Sequence, residues 1–214
     1  MLVVKKFVFN IFYENTYLIW DEATKECAVI DAGCSNKAEE GELTAYVNKH
    51  NLIVKYHINT HCHIDHVMGS KFIKEKYNPV YMIPKLDLPL LERADTQAAA
   101  FGLSIETPPK PDKFISIDET ISIGSSEIKF LNTPGHTPGE VCLYFTKEKF
   151  CMTGDVLFQK SIGRTDLWGA NYESLIESIN SQLLTLPDDV LIYPGHGESS
   201  KIGIEKMENP FLLI

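Results

Sequence analysis

The sequence contains no CxxC pair. Its five cysteines, Cys27, Cys34, Cys62, Cys142 and Cys151, are an odd and scattered set, which argues against a disulfide framework and reads as reduced thiols in a cytoplasm. It also has no Lys/Arg-rich run, and a formal charge of −9 leaves nothing to neutralise a phosphate backbone, so nucleic acid is not an expected partner. An anionic substrate would need a local basic group. No apolar run approaches the roughly 20 residues of a membrane span. The opening MLVVKKFVFNIF has lysines among its apolar residues and no small-residue cleavage site, which fits a strand better than a signal peptide. These absences leave a soluble, cytoplasmic protein with a small-molecule substrate and no membrane partner. A length of 214 residues with 44% hydrophobic content suits one domain, residues 1–214, with a sizeable core. The oligomeric state is not written in the sequence.

What the chain does have is alternating order. Leu2 to Asn10, Thr16 to Trp20 and Glu26 to Ile30 are β-branched and aromatic runs between turn residues, a meander of strands. A helix follows, capped by Ser35 or Asn36, with Leu43, Tyr46 and Val47 on one face and its end at His50 and Asn51. Ile53 to Asn59 reads as a buried strand. Val67 to Tyr77 and Lys85 to Phe101 read as helices, divided by a short extended segment and Pro84. After the proline-rich TPPKPD, strands return at Phe114 to Ile117, Thr120 to Ile123, Glu127 to Asn132, Val141 to Phe145 and Phe150 to Thr153. A helical face through Tyr172, Leu175, Ile176, Ile179 and Leu183 precedes a last strand, Val190 to Tyr193. The recurring order suggests two similar halves built as two face-to-face sheets with helices outside.

Four strand ends share one pattern: an apolar strand runs out and a ligand-type residue follows. IVKYHINT leads to His61, IKFLNTPG to His136, KFCMTG to Asp155, and VLIYPG to His196. In three of the four, a glycine stands immediately before the ligand type, allowing close approach to a shared point. The first end opens into THCHIDH, which packs His61, His63, Asp65 and His66 into six residues. Five imidazoles and two carboxylates are donors for zinc, iron or manganese and disfavour calcium and magnesium. Seven ligands divide as three for each of two metals with one shared, leaving open positions of a catalytic kind. His57, inside a strand, reads as a hydrogen-bonded core residue. His50 suits a helix C-terminus, and Cys62, between ligands, reads as a buried small hydrophobe.

Taken together, THCHIDH, PGHTPG, TGDVLF and YPGHG resemble the signature of the metallo-β-lactamase superfamily. GRTDL, LTLPDD and IGIEKMENPFL are similar to its short hydroxyacylglutathione-hydrolase-like branch, relatives of the type II glyoxalases. The resemblance implies an α/β fold, the four-layer αβ/βα sandwich. It implies two divalent metal ions, zinc first and iron or manganese as alternatives. His61, His63 and His136 would hold one and Asp65, His66 and His196 the other, with Asp155 bridging; Asp65 and Asp155 are the carboxylates assigned to catalysis. An aspartate rather than a cysteine at 155 favours esters and thioesters over lactams. The implied activity is hydrolysis of a thioester by a metal-bound hydroxide. No segment matches the extra helical domain of full-length glyoxalases, so weak dependence on the glutathione portion is expected. Arg164 is the basic group assigned to a substrate carboxylate, as a bidentate pair; Lys160 and Lys201 read as surface charges. A second reading within the same superfamily is a mononuclear iron sulfur dioxygenase using His61, His136 and Asp155.

Overall fold

The computed structural model describes residues 1–213. The chain divides into two compact units, Met1–Ile115 with Ser122–Ser126, and Ser116–Ile121 with the described residues from Glu127 onward. No helix among the described residues is long and apolar enough to cross a membrane.

In the first unit, strands β1 (Leu2–Phe9), β2 (Glu14–Asp21) and β3 (Glu26–Ile30) form the antiparallel meander read from the sequence. Helix α1 (Lys37–His50) then crosses to β4 (Ile53–Ile58), which pairs parallel to β3. Asn36 settles the choice of cap: its side chain accepts from the amides of Ala38 and Glu39, while Asn51 ends the helix in the left-handed region at φ 53°. Leu43 and Val47 are the buried face, packed with Phe7, Phe9, Leu18, Trp20, Val29 and Val54. Short helices α2 (Ile64–Val67) and α3 (Ser70–Tyr77) follow, then β5 (Val80–Ile83), α4 (Leu88–Glu92), α5 (Ala94–Ala100) and β6 (Lys113–Phe114). The sheet order is β1-β2-β3-β4-β5-β6, six strands.

The single helix expected from Lys85 to Phe101 is instead broken at Arg93, whose φ and ψ of −109° and 23° are not helical. The break turns two short apolar faces, Leu90 and Leu91, then Ala94 and Ala98, into one cluster with Cys62, Ile64, Val67 and Tyr81.

The second unit carries the start of β7 (Thr120–Ile123), whose last two residues fall in the first, and β8 (Ser126–Asn132) from Glu127 onward, with β9 (Val141–Phe145), β10 (Phe150–Gly154), the small hairpin β11 (Leu157–Phe158) and β12 (Ser161–Ile162), α6 (Tyr172–Ser178), β13 (Leu191–Pro194), β14 (Ser200–Lys201) and α7 (Ile202–Glu208). Its six-stranded sheet runs β14-β13-β10-β9-β8-β7, with β10 and β13 parallel. The expected helical face continues past α6 as a wider turn over Ile179–Leu183, and Leu175, Ile179 and Leu183 are all buried. The hairpin and β14 were not visible in the sequence pattern, because two-residue strands carry no periodicity, and α7, at seven residues, is too short to show a clear one.

His57 is a core residue, as expected. It is fully buried on β4 and stacks on Tyr81 with ring centroids 4.6 Å apart and planes 5° from parallel. Its Nδ1 faces the Val29 carbonyl at 3.4 Å, so that nitrogen carries the proton, and Nε2 accepts from the Ser70 hydroxyl at 3.0 Å. Burial is the main cause that lowers its pKa to about 4, against the raising effect of the Val29 carbonyl. The unfolded chain takes up the proton near pH 6.5 whereas the folded one refuses it until about pH 4. Stability contributed by His57 is therefore complete above pH 6.5 and is lost as the pH falls through that window. In metal-free protein, the unfolding free energy between pH 7 and pH 5 should fall by about 2 kcal/mol more in the wild type than in His57→Gln; an equal fall in the two proteins, from urea titrations at each pH, would refute the assignment.

Candidate metal centre

Each unit gathers its ligand-type residues where two parallel strands end side by side. In the first, β3 and β4 pair up to Ile30 and Ile58, and the amide of Asp31 donates to the Ile58 carbonyl at 3.0 Å. Asp31 has a φ of 50°, so its carboxylate turns back onto the loop leaving β4. Oδ1 accepts from the Thr60 amide at 2.8 Å and the Asn59 side chain at 3.3 Å, and Oδ2 accepts from the Thr60 hydroxyl at 2.7 Å. That hydroxyl has given away its one hydrogen, so at 3.1 Å it accepts from Nδ1 of His61. The proton on Nδ1 leaves Nε2 of His61 as the donor of a lone pair. Oδ2 of Asp31 also lies 3.2 Å from Nδ1 of His66, which turns the Nε2 of that ring towards Asp65 Oδ2, 3.7 Å away.

His61 and His66 are buried with ring centroids 4.1 Å apart, and His63 stands edge-on to His61 at 5.0 Å. Asp31, His61 and His66 each offer an atom within 4.8 Å of the others. The loop is held from behind as well. Asn59 donates to the His66 carbonyl at 2.7 Å, and Asn10 donates to the carbonyls of Asp65 and Gly33 at 3.0 and 2.9 Å. Glu14 is fully buried, 4.0 Å from His66 Nδ1, with Thr16 donating to it at 2.7 Å. Burial pushes its carboxyl well above the usual carboxylate range, partly opposed by His66. Gly33 makes room for it, since a Cβ there would lie 1.9 Å from Glu14 Oε2.

In the second unit the parallel pair is β10 and β13, which ends with Gly154 opposite Pro194, and the Gly195 amide donates to the Gly154 carbonyl at 2.7 Å. Asp155 and His196 are thus adjacent. His136 arrives on the loop after β8, where Gly135 has φ 143° and a Cβ would meet the Leu175 backbone at 2.3 Å. The His136 Nδ1 proton goes to the Arg164 carbonyl at 2.8 Å, leaving Nε2 as the lone-pair donor. Oδ2 of Asp155 sits 3.5 Å from Nε2 of His136 and 3.6 Å from Nε2 of His196. Those separations are long for hydrogen bonds. They match the edge of a tetrahedron whose corners lie ~2.1 Å from a central ion, about 3.4 Å.

The structure therefore groups His61, His63, Asp65 and His66 in one unit and His136, Asp155 and His196 in the other, and this donor set fits a divalent transition metal. Arg164 is placed differently. Its guanidinium makes a bidentate pair with Asp166 at 2.9 and 2.8 Å and is 64% exposed, while its carbonyl orients His136. Lys160 pairs with Glu208 at 2.9 Å, as a surface charge does. Cys62 is fully buried, and burial pushes its thiol well up. Sequence reasoning missed Asp31, Asn10 and Glu14. For Asp31 the signal was present, because CAVID repeats the pattern of an apolar strand running into a polar residue.

A family model described as the metallo-beta-lactamase superfamily matches residues 10–196. The hydroxyacylglutathione hydrolase GloC of Haemophilus influenzae is 37% identical over 203 residues, covering 94% of this chain and 93% of that protein. Among solved structures, BLEG-1, a B3 metallo-beta-lactamase, superposes with a TM-score of 0.90 at 30% identity over 98% of this chain and 99% of its own. TTHA1623 in a di-iron-bound form does so with a TM-score of 0.87 at 35% identity, over 97% and 100%. The matched region runs through every one of the histidines and aspartates described above, and the chain belongs to the metallo-β-lactamase superfamily, with the α/β fold of that family and the divalent-metal binding which that fold implies.

Proposed function

We propose that the protein is a binuclear metal-dependent hydrolase of thioesters, of the hydroxyacylglutathione-hydrolase type. The observation that carries this reading is the position of Asp155, whose Oδ2 is nearly equidistant from His136 Nε2 and His196 Nε2. A carboxylate so placed suits a ligand shared by two ions, one taking His136 with His61 and His63, the other taking His196 with Asp65 and His66. The GloC relative, of nearly the same length, supports the thioester class, and the TTHA1623 structure is of a relative in a di-iron form. Iron and zinc are both compatible with these donors.

Ions held there would supply a water ionised near neutral pH and positive charge for the acyl oxygen. The rest is done by the chain. Asp31, through Thr60, keeps His61 in the tautomer that presents Nε2, and the Arg164 carbonyl does the same for His136. The leaving group is a thiolate, which ionises near pH 8 to 9 and needs little help from an acid, so the mechanism requires no catalytic serine or cysteine. Arg164 would meet a substrate carboxylate by exchanging Asp166 for it. An exposed pair of this kind is screened by water and contributes little, so the exchange costs little.

Purified protein reconstituted with zinc or with iron should contain two ions per chain by elemental analysis and should hydrolyse glutathione thioesters. One ion at saturation, with oxygen uptake on glutathione persulfide and no thioester turnover under either metal, would overturn the reading in favour of the sulfur dioxygenase. Arg164→Ala should raise KM for a carboxylate-bearing thioester by about tenfold or less, equivalent to at most about 1.4 kcal/mol, and leave kcat within about twofold. An unchanged KM in steady-state kinetics would remove Arg164 from the substrate site.

A further inference from the structure

Glu140 is a buried carboxylate to which the chemistry above gives no task. It lies on the turn HTPGE, four residues after His136 and immediately before β9, with no exposed surface. Its Oε1 accepts the backbone amide of Asp155 at 2.7 Å. Its own carbonyl is fixed to Thr133, through the amide at 3.0 Å and the hydroxyl at 3.3 Å. The turn that delivers His136 thus also delivers the group that grips the main chain of Asp155.

The grip has a second jaw. Gly163 packs so closely on the carbonyl of Asp155 that a Cβ would lie 1.8 Å from it, and the same Cβ would reach 3.2 Å from Cβ of His136. The next residue, Arg164, supplies the carbonyl that receives the His136 proton. The contacts close a ring, from His136 along its turn to Glu140, across to Asp155, over to Gly163, and through Arg164 back to His136. Burying a carboxylate is costly unless it is well bonded. A short bond from the Asp155 amide to an oxygen held at fixed reach by a buried side chain suits a ligand whose position must not drift.

We infer that Glu140 is a positioning residue: it fixes the main chain of Asp155, and through it the separation between the Asp155 carboxylate and the imidazoles of His136 and His196. The inference rests on the binuclear reading, and the test keeps the two apart. Wild type, Glu140→Gln, Glu140→Asp and Glu140→Ala would be purified metal-free, checked by circular dichroism, and titrated with manganese while the electron paramagnetic resonance signal is followed. Gln keeps an oxygen at the right reach, so E140Q should bind two ions with affinity within about threefold of wild type and give the same exchange-coupled spectrum. Asp keeps the charge but is one methylene short. E140D and E140A should bind manganese roughly 10- to 100-fold more weakly, the usual effect of removing a group that orients a ligand, with the coupling lost or altered.

Wild-type affinity and coupling in E140D or E140A would overturn the inference. So would an E140Q as impaired as E140A, since charge rather than reach would then matter. If E140A does not fold, the comparison of E140Q with E140D decides. If the wild type itself takes up only one ion, the binuclear reading fails, and the affinity of that ion in E140Q against E140D still judges Glu140.

Discussion

The carboxylate of Asp31 is the contact on which the ligand-type cluster of the first unit depends. It sits where β3 and β4 end together, and it closes the loop out of β4 by accepting from Thr60 twice and from Asn59 once. Through the Thr60 hydroxyl it sets the tautomer of His61, and at 3.2 Å it lies against His66. Removing it would release the loop and both rings at once. The second unit solves the same problem with main chain rather than a side chain. There the Gly195 amide ties the end of β13 to the end of β10, and the Arg164 carbonyl orients His136. Parallel neighbours make this possible, because their carboxyl ends fall side by side and the loops leaving them share one location.

Both units also bury carboxyl groups beside their ligand-type residues. Asp31, Glu14, Glu140 and Asp155 are all buried or nearly so. Burying such groups is costly unless they are well bonded. The folded chain holds them in place by hydrogen bonds to amides and hydroxyls, and a divalent ion bound among them would offset their charge directly. Metal binding of that kind adds its free energy to folding. This explains why a chain would keep so polar a cluster beside apolar strands such as Phe150–Gly154, every residue of which is buried.

Much of this was legible in the sequence. The meander, a cap at Ser35 or Asn36, the buried strand leading to His61 and the ligand-type residues at four strand ends are local patterns, each visible within a short window of sequence. His57 and Cys62 read correctly as core residues because their neighbours in sequence are apolar strand or paired ligands. The residues that escaped act across long stretches of chain. Asp31 bonds a residue 29 positions away, Asn10 one 55 away, and Glu140 one 15 away, and no spacing rule connects such pairs. The break at Arg93 escaped because nothing in the helix-forming run from Leu88 to Ala100, which has no glycine and no proline after Pro89, marks it. Arg164 shows the converse. Its side chain drew attention as a cation, while the structure employs its carbonyl.

The central claim is that Asp155 is shared between two ions, and the separation of those ions tests it most directly. X-ray absorption spectroscopy of the protein loaded with two equivalents of zinc is expected to show nitrogen and oxygen ligands at ~2.0–2.2 Å and a metal–metal contribution at about 3.5–4 Å, which disappears in Asp155→Ala. A spectrum of fully loaded wild type without metal–metal scattering, or one unchanged in the variant, would contradict it.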